Sequence, residues 1–170
     1  TKGLDRVLHG VAALDPEVRL VIAGDGSERD SLAALAASLG LASRVLLLGE
    51  RSDTPALLSA FDVFVSASDP GAETFAVAPL EALANGLPVV VTTCPGLDGV
   101  EDRRVVRTAP EARRIGADLA TALAATPDRT TAPRHLLAGC AVDRVVAEID
   151  DVYPEIRSAG AGRQRATTGA

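Results

Sequence analysis

The chain has 170 residues and a mass of 17.4 kDa, which is the size of one ordinary domain. Hydrophobic residues make up 47% and aromatic residues 2%, so we expect a folded, aliphatic core rather than a disordered chain. The net charge of −6 argues against nucleic acid and anionic membrane surfaces as partners, because both attract clustered Lys and Arg.

Segments typical of secreted and membrane proteins are also missing from the sequence. No run reaches the roughly 18 apolar residues that a membrane-spanning helix requires, and the first residues have no signal-peptide pattern. Cys94 and Cys140 lie far apart, without the CxxC or CxxH spacing of a metal site, so we expect two reduced thiols. A cytoplasmic location is therefore the expectation.

Apolar periodicity predicts helices that alternate with short strands. The expected elements are a helix over 3–14, a strand over 18–23, a helix over 28–39, a strand over 45–48, a helix over 54–60, a strand over 62–66, a helix that ends at 85–86, a strand over 88–92, a weaker strand over 103–107, a helix up to 125, a short helix near 136 and a helix over 142–152. The expected caps are Ser27, Asp53 and a capping box formed by Thr108 and Glu111.

Strands that are apolar on both faces and are each followed by a helix predict a parallel sheet covered on both sides. The expected fold class is α/β, a doubly wound Rossmann-like sheet with a helical C-terminal end. The domain is expected over 1–157, with a disordered tail over 158–170. Because the chain opens on a helix and carries Thr1 instead of Met, we expect a processed or partial chain whose first strand lies upstream.

One predicted helix start is suited to phosphate. Pro79 has no N–H and is tolerated only in the first turn of a helix, so this helix is expected to begin between Phe75 and Ala78. The N–H groups just before Pro79 are then free donors at the positive end of the helix dipole, which attracts phosphate groups. The same helix start lies at the carboxyl edge of the sheet, where α/β folds bind ligands.

Two glutamates flank this helix start, with Glu73 just before it and Glu81 about one turn inside. Carboxylates repel phosphate but accept hydrogen bonds from hydroxyls, so this pair suits a diphosphate flanked by two sugars, each held by one Glu. The spacing alone leaves another interpretation open, in which Glu73 closes the loop and Glu81 only complements the helix dipole.

A resemblance to retaining glycosyltransferases of family 4 lies in the segment ETFAVAPLEALANGLPVVVT, whose two glutamates match the E-x7-E signature of that family. The resemblance covers about residues 1–105 and includes Lys2-Gly3, VIAGDGSERDSL, VLLLGERSDTPALLSAFDVFVSAS and TCPGLDG. It implies one half of a GT-B fold, in which two Rossmann-like domains face each other across a cleft. The missing partner would be an N-terminal acceptor-binding domain, without which this chain is expected to bind a sugar nucleotide but to be inactive.

The resemblance also implies roles for individual residues. Lys2 and Glu73 would be catalytic, because Lys2 would contact the donor's phosphates and Glu73 the hydroxyls of the transferred sugar. Glu81 would bind the ribose. The remaining donor-binding residues would be Phe75, Ala76 and Val77, whose amides hold the diphosphate, and Glu50, Arg51 and Asp53, which lie beside the nucleotide base. Gly24 and Gly26 follow a strand without the third glycine of a dinucleotide-binding motif, so they are interpreted as a turn at the nucleotide cleft, and a purely conformational need for these glycines stays open. The family usually has Gly where Ala76 stands, and G-G-x-x-E where this chain has CPGLDG.

The reaction implied is transfer of a hexose-type sugar from a nucleoside diphosphate with retained anomeric configuration. No metal or other cofactor is expected, because preorganised amides and Lys2 would stabilise the charge on the leaving diphosphate. Membrane contact would occur only at the periphery, through the missing half. Two alternatives stay open, namely a sugar-nucleotide epimerase with the same fold and a non-catalytic α/β binding module.

Overall fold

Helices and parallel strands alternate along the part of the chain that the computed structural model describes, residues 2–125, which lies within a compact unit formed by Thr1–Pro133. The elements are α1 (Leu4–Ala12), β1 (Leu20–Ala23), α2 (Arg29–Ser38), β2 (Val45–Gly49), α3 (Thr54–Ala60), β3 (Phe64–Ser66), α4 (Val77–Ala84), β4 (Val89–Val91), β5 (Val105–Arg107) and α5 (Ala112–Ala124), with a 3-10 turn at Pro95–Leu97. Cys140, the helices expected near 136 and over 142–152, the domain end at 157 and the tail over 158–170 lie outside the described residues.

The strands confirm the α/β class with parallel pairing, but they form two sheets rather than the expected single one. In the described residues, β1 pairs with β2, and β3, β4 and β5 pair in that order. No described strand joins β1 to β3, so each of these two strands lies at the edge of its sheet.

Helices α1 and α5 form the base of the hydrophobic core. The apolar stripe of α1 buries Val7, Leu8 and Val11, and α1 packs directly against α5. Gly10 and Gly116 make the close crossing possible, because a Cβ at Gly116 would lie 2.8 Å from the carbonyl oxygen of Gly10.

The predicted cap residue of α3 is confirmed and the other two predicted caps are wrong. Asp53 stands at the N-cap of α3, with Pro55 in the first turn, although its carboxylate binds Arg51 and makes no capping hydrogen bond. Helix α2 is preceded by Glu28 rather than Ser27. Helix α5 begins only at Ala112, and the Thr108 hydroxyl donates to the Ala109 carbonyl instead of capping. The physical reason is that a residue before proline avoids helical dihedrals, which keeps Ala109-Pro110 outside the helix.

Candidate active site

Helix α4 begins as the position of Pro79 predicts, since Val77 is its first residue and Pro79 lies in its first turn. Its N-cap is Ala76, which adopts left-handed dihedrals with φ of 65° and ψ of 75°. Every other described residue with positive φ is glycine, so Ala76 holds a strained conformation. No side chain caps this helix, and its first two residues, Val77 and Ala78, are exposed. Their N–H groups are therefore the donors available to a ligand.

The turn after β4 holds this helix start in place. The Gly96 N–H donates to the Phe75 carbonyl at 2.8 Å, and the Cys94 thiol lies 3.7 Å from the Ala76 carbonyl. A Cβ at Gly96 would lie 2.7 Å from the same Phe75 oxygen, so only glycine permits this approach. Burial raises the pKa of the Cys94 thiol, which keeps it neutral beside these carbonyls.

Glu73 is held by two donors on one carboxylate oxygen. Its Oε1 accepts hydrogen bonds from the Lys2 ammonium at 2.5 Å and from the Ser68 hydroxyl at 2.7 Å. Ser68 is fully buried, and its carbonyl accepts a hydrogen bond from Thr92 Oγ1 at 2.6 Å. The bonds from Lys2 and Ser68 hold the pKa of Glu73 below its usual range, against the opposing effect of burial. Glu73 is therefore a charged and firmly oriented carboxylate at neutral pH.

Arg6 brings the start of the chain against the end of β3. Its guanidinium donates to the Ala67 carbonyl and to the Asp69 carboxylate, both at 2.6 Å. These contacts connect α1 to the loop that carries Glu73, and they place Lys2 beside that glutamate. The sequence reasoning missed Arg6, Ser68 and Gly96. Gly96 lies in the CPGLDG loop, which the sequence analysis describes without assigning this glycine a role. No local sequence pattern indicates Arg6 or Ser68, because the contacts of Arg6 are distant in sequence and those of Ser68 require the loop to fold back.

The loops after β1 and β2 carry the remaining predicted donor-binding residues. Gly24 follows β1, where its N–H donates to the Gly49 carbonyl at 2.7 Å, and Gly26 lies in the next turn. Arg51 and Asp53 form a two-point ion pair with distances of 2.8 and 2.6 Å. This pairing raises the pKa of Arg51 and lowers that of Asp53, although both side chains are exposed to solvent.

One large cavity, with a volume of about 1680 Å³, brings most of these residues together. Its lining includes the predicted residues Lys2, Gly24, Gly26, Glu50, Arg51, Glu73, Ala76, Val77 and Glu81. Phe75 and Asp53 do not line it. The roles of all these residues in binding and catalysis stay predictions.

The part of the cavity lined by Lys2, Val77 and Glu81, which we call its mouth, can stabilise an anion and bind hydroxyls at the same time. The uncapped amides of α4 and the Lys2 ammonium suit developing negative charge, and Lys2 is the only lysine of the chain. Glu81, the fifth residue of α4, is exposed at the same mouth, about one turn beyond these amides. Across residues 2–125, no group of three or more His, Cys, Asp or Glu residues is arranged to hold a metal ion. None of the helices in this range is long and apolar enough to span a membrane.

Comparison with known proteins identifies the enzyme family of the chain. The model of the family described as glycosyl transferases group 1 matches residues 1–124. A lipopolysaccharide core biosynthesis glycosyltransferase, LpsE of Rhizobium meliloti, is 43% identical over 95 residues, which cover 56% of this chain and 27% of LpsE. A D-inositol 3-phosphate glycosyltransferase of Mycobacterium marinum is 39% identical over 101 residues, which cover 56% of this chain and 22% of that enzyme.

Solved structures show the same fold. Anabaena HepE in complex with UDP and glucose superposes with a TM-score of 0.71 at 27% identity, covering 92% of this chain and 45% of HepE. A glycosyltransferase of Rickettsia africae gives a TM-score of 0.80 at 19% identity, with 91% of this chain and 44% of that chain covered, and this likeness concerns the fold alone. The chain thus spans about a quarter of the length of the curated relatives and less than half of these solved chains. The match over residues 1–124 shows that this chain belongs to the glycosyl transferases group 1 family.

Proposed function

We propose that the chain is the donor-binding half of a retaining glycosyltransferase, which transfers a hexose-type sugar from a nucleoside diphosphate to an acceptor held by an N-terminal domain. The observation that carries this proposal is the uncapped start of α4 beside the Lys2–Glu73 ion pair. A cytoplasmic location and a reaction without metal are further predictions from the sequence. The complex of the related HepE with UDP and glucose supports the choice of ligand class.

In this proposal the diphosphate lies at the N-terminus of α4. The N–H groups of Val77 and Ala78 point out of the first turn, where the helix dipole adds to their attraction for phosphate. Lys2 has three N–H donors and a side chain that is 68% exposed, so it reaches a phosphate while it remains close to Glu73. When the glycosidic bond breaks, these groups stabilise the negative charge on the leaving diphosphate.

Glu73 binds the transferred sugar through its second oxygen. Both described contacts of this carboxylate go to Oε1, so Oε2 is left to accept a hydroxyl. The ion pair with Lys2 keeps the carboxylate charged, and a charged acceptor gives a hydrogen bond of about 1.5–3 kcal/mol. Glu81, about one turn inside the helix, is placed to accept hydroxyls of the ribose.

Backbone amide NMR of the chain during titration with UDP, GDP, ADP and dTDP tests this proposal. We expect at least one of these diphosphates to shift the Val77 and Ala78 amide resonances at millimolar or lower concentration, whereas the matching nucleoside should act more weakly. Glu81→Ala should weaken nucleotide binding more than Glu73→Ala, because only Glu81 is assigned to the nucleotide itself. Binding that leaves the α4 amides unaffected would contradict the assignment.

A further inference from the structure

Four carboxylates lie in the segments that follow β1 and β2, on the side of the cavity that belongs to the β1–β2 sheet. Three of them already accept a hydrogen bond from a nearby residue, namely Asp25 from the Gly26 N–H at 2.8 Å, Glu28 from the Ser31 hydroxyl at 3.1 Å and Asp53 from the Arg51 guanidinium at 2.8 and 2.6 Å. The fourth, Glu50, has no hydrogen bond or ion pair within the described residues, although it is exposed and lines the cavity. Glu50 is therefore the carboxylate of these loops that can bind a ligand without breaking a contact.

The backbone beside Glu50 leaves room for a flat ring. The Gly24 N–H donates to the Gly49 carbonyl at 2.7 Å, and both glycines have positive φ, 124° and 71°. A Cβ at Gly24 would have no heavy atom within 4 Å, so the space above its backbone is open, and Gly24 lines the cavity. A ring can approach such a bare backbone closely. Because Glu50 directly follows Gly49, its carboxylate lies within reach of the edge of a ring in this space.

A guanidinium group lies in the same part of the cavity. Arg29, the first residue of α2, is exposed and lines the cavity. One of its terminal nitrogens donates to the Leu47 carbonyl at 3.0 Å, and the other lies 3.7 Å from the position that a Cβ on Gly49 would take. No ion pair joins Arg29 to Glu50 in residues 2–125, so the remaining N–H groups of Arg29 can donate to a ligand. The two side chains thus offer a charged acceptor and charged donors.

This combination discriminates among the nucleotide bases. Guanine carries the N1–H and N2–H donors side by side, and the two oxygens of one carboxylate accept such a pair. Its O6 and N7 atoms are acceptors, which arginine binds well. Uracil and thymine offer one N–H between two carbonyl oxygens, which repel the second carboxylate oxygen. Adenine and cytosine carry an amino group beside an unprotonated ring nitrogen, which repels it as well. Among these bases, guanine alone presents two adjacent donors to one carboxylate.

We propose that Glu50 selects a guanine base, so that the donor of this chain is a sugar linked to guanosine diphosphate. The Glu50 carboxylate accepts the N1–H and N2–H groups, and Arg29 donates to the O6 and N7 edge. This inference rests on the proposed function, because a diphosphate at α4 directs the base toward these loops through the same cavity. It adds the identity of the base and the residues that read it.

The first experiment measures dissociation constants of the 170-residue chain for GDP, UDP, ADP and CDP by titration calorimetry. We expect GDP to bind at least tenfold more tightly than each of the other three, because only its base satisfies both oxygens of Glu50. Inosine diphosphate, whose base lacks the 2-amino group of guanine, is the matched ligand. It should bind about tenfold more weakly than GDP, since one hydrogen bond to a charged acceptor is lost.

The second experiment repeats the titrations with Glu50→Gln. The glutamine has the same size, but its amide NH₂ faces the base donors and its charge is gone, so the GDP dissociation constant should rise about tenfold or more. The constants for UDP and ADP should change less than twofold. Glu28→Gln is the matched control, because it removes the same charge from the cavity at a carboxylate that Ser31 already engages. It should leave the GDP constant within twofold of the wild type.

The outcomes separate this inference from the proposed function. If UDP, ADP or CDP binds as tightly as GDP, the guanine assignment is overturned while the diphosphate site stands. Equal weakening of all nucleotides in Glu50→Gln, or an unchanged GDP constant, would overturn the role of Glu50 in the same way. Absence of binding by every diphosphate would overturn both the inference and the proposed function. Thermal unfolding of Glu50→Gln without ligand verifies that the exposed substitution leaves the fold intact.

Discussion

The buried hydroxyl of Ser68 donates to Glu73 Oε1 at 2.7 Å, and the same oxygen receives the Lys2 ammonium. Glu73 is therefore oriented by one neutral and one charged donor before any ligand binds. Thr92 fixes the backbone of Ser68 from the end of the neighbouring strand β4. Glu73 is thus held by Lys2, just before α1, and by Ser68, just after β3. Ser68 is in turn held by Thr92, just after β4.

Replacing Ser68 by alanine should raise the pKa of Glu73 toward its ordinary value, because one of the two hydrogen bonds to the charged form is lost. The free energy of unfolding at neutral pH should fall by about 0.5–1.5 kcal/mol, the usual net contribution of one hydrogen bond. Carboxyl NMR titration and denaturant unfolding measure the two effects. Ser59→Ala, on the exposed surface of α3, is the matched control. An unchanged Glu73 pKa in Ser68→Ala would refute the orienting role of this hydroxyl.

Acid should weaken the fold partly through Glu73. Its pKa is lower in the folded than in the unfolded chain, so its contribution to stability is complete above the unfolded value near 4.5 and is lost as the pH falls through the folded value. The comparison is between the wild-type chain and Glu73→Gln, whose free energies of unfolding are measured from pH 7 to pH 3. We expect the wild type to lose more stability below pH 5 than the variant. Parallel curves would show that Glu73 does not contribute.

Replacing Ala76 by glycine should stabilise the domain by about 1 kcal/mol, because glycine adopts the left-handed conformation without the steric cost that alanine carries. Ala78→Gly is the control, since Ala78 is helical and glycine there should cost about 1 kcal/mol. Thermal unfolding distinguishes the two directions. Destabilisation by Ala76→Gly would mean that the strain at this helix start is smaller than its dihedrals indicate.

Gly116→Ala should destabilise the domain by about 1–3 kcal/mol, even though alanine is the better helix former. The added methyl group would lie 2.8 Å from the Gly10 carbonyl oxygen, where two helices cross and neither can yield easily. Ala120→Gly, on the exposed face of the same helix, reports the ordinary propensity cost of about 1 kcal/mol. A Gly116→Ala variant as stable as the wild type, by denaturant unfolding, would show that the crossing can widen.

The sequence predicted those parts of the fold that depend on local pattern. Apolar periodicity located the helices and strands, and Pro79 alone located the start of α4 within a few residues. The prediction failed at Thr108, because the residue before Pro110 avoids helical dihedrals and the helix therefore cannot begin there. The Thr108 hydroxyl donates to the Ala109 carbonyl instead.

The local sequence pattern could not predict the residues that hold the candidate site in place. Arg6 contacts a segment 61 to 63 residues away, and nothing near it in the sequence indicates a partner. Ser68 lies only five residues from Glu73, yet the loop between them must fold back before the two side chains meet. The separation into two sheets also could not be derived, because strand order depends on contacts between distant segments and not on the composition of each strand.

The central claim, that the start of α4 and Lys2 form a diphosphate site, is tested most directly by the melting temperature of the chain with and without UDP, GDP, ADP or dTDP. A ligand at about 100 times its Kd adds about 2.7 kcal/mol to the free energy of unfolding, which is readily detected. We predict that at least one diphosphate raises the melting temperature of the wild type and that Lys2→Gln loses most of the increase. No increase with any of the four at millimolar concentration, or an equal increase in Lys2→Gln, would contradict the account.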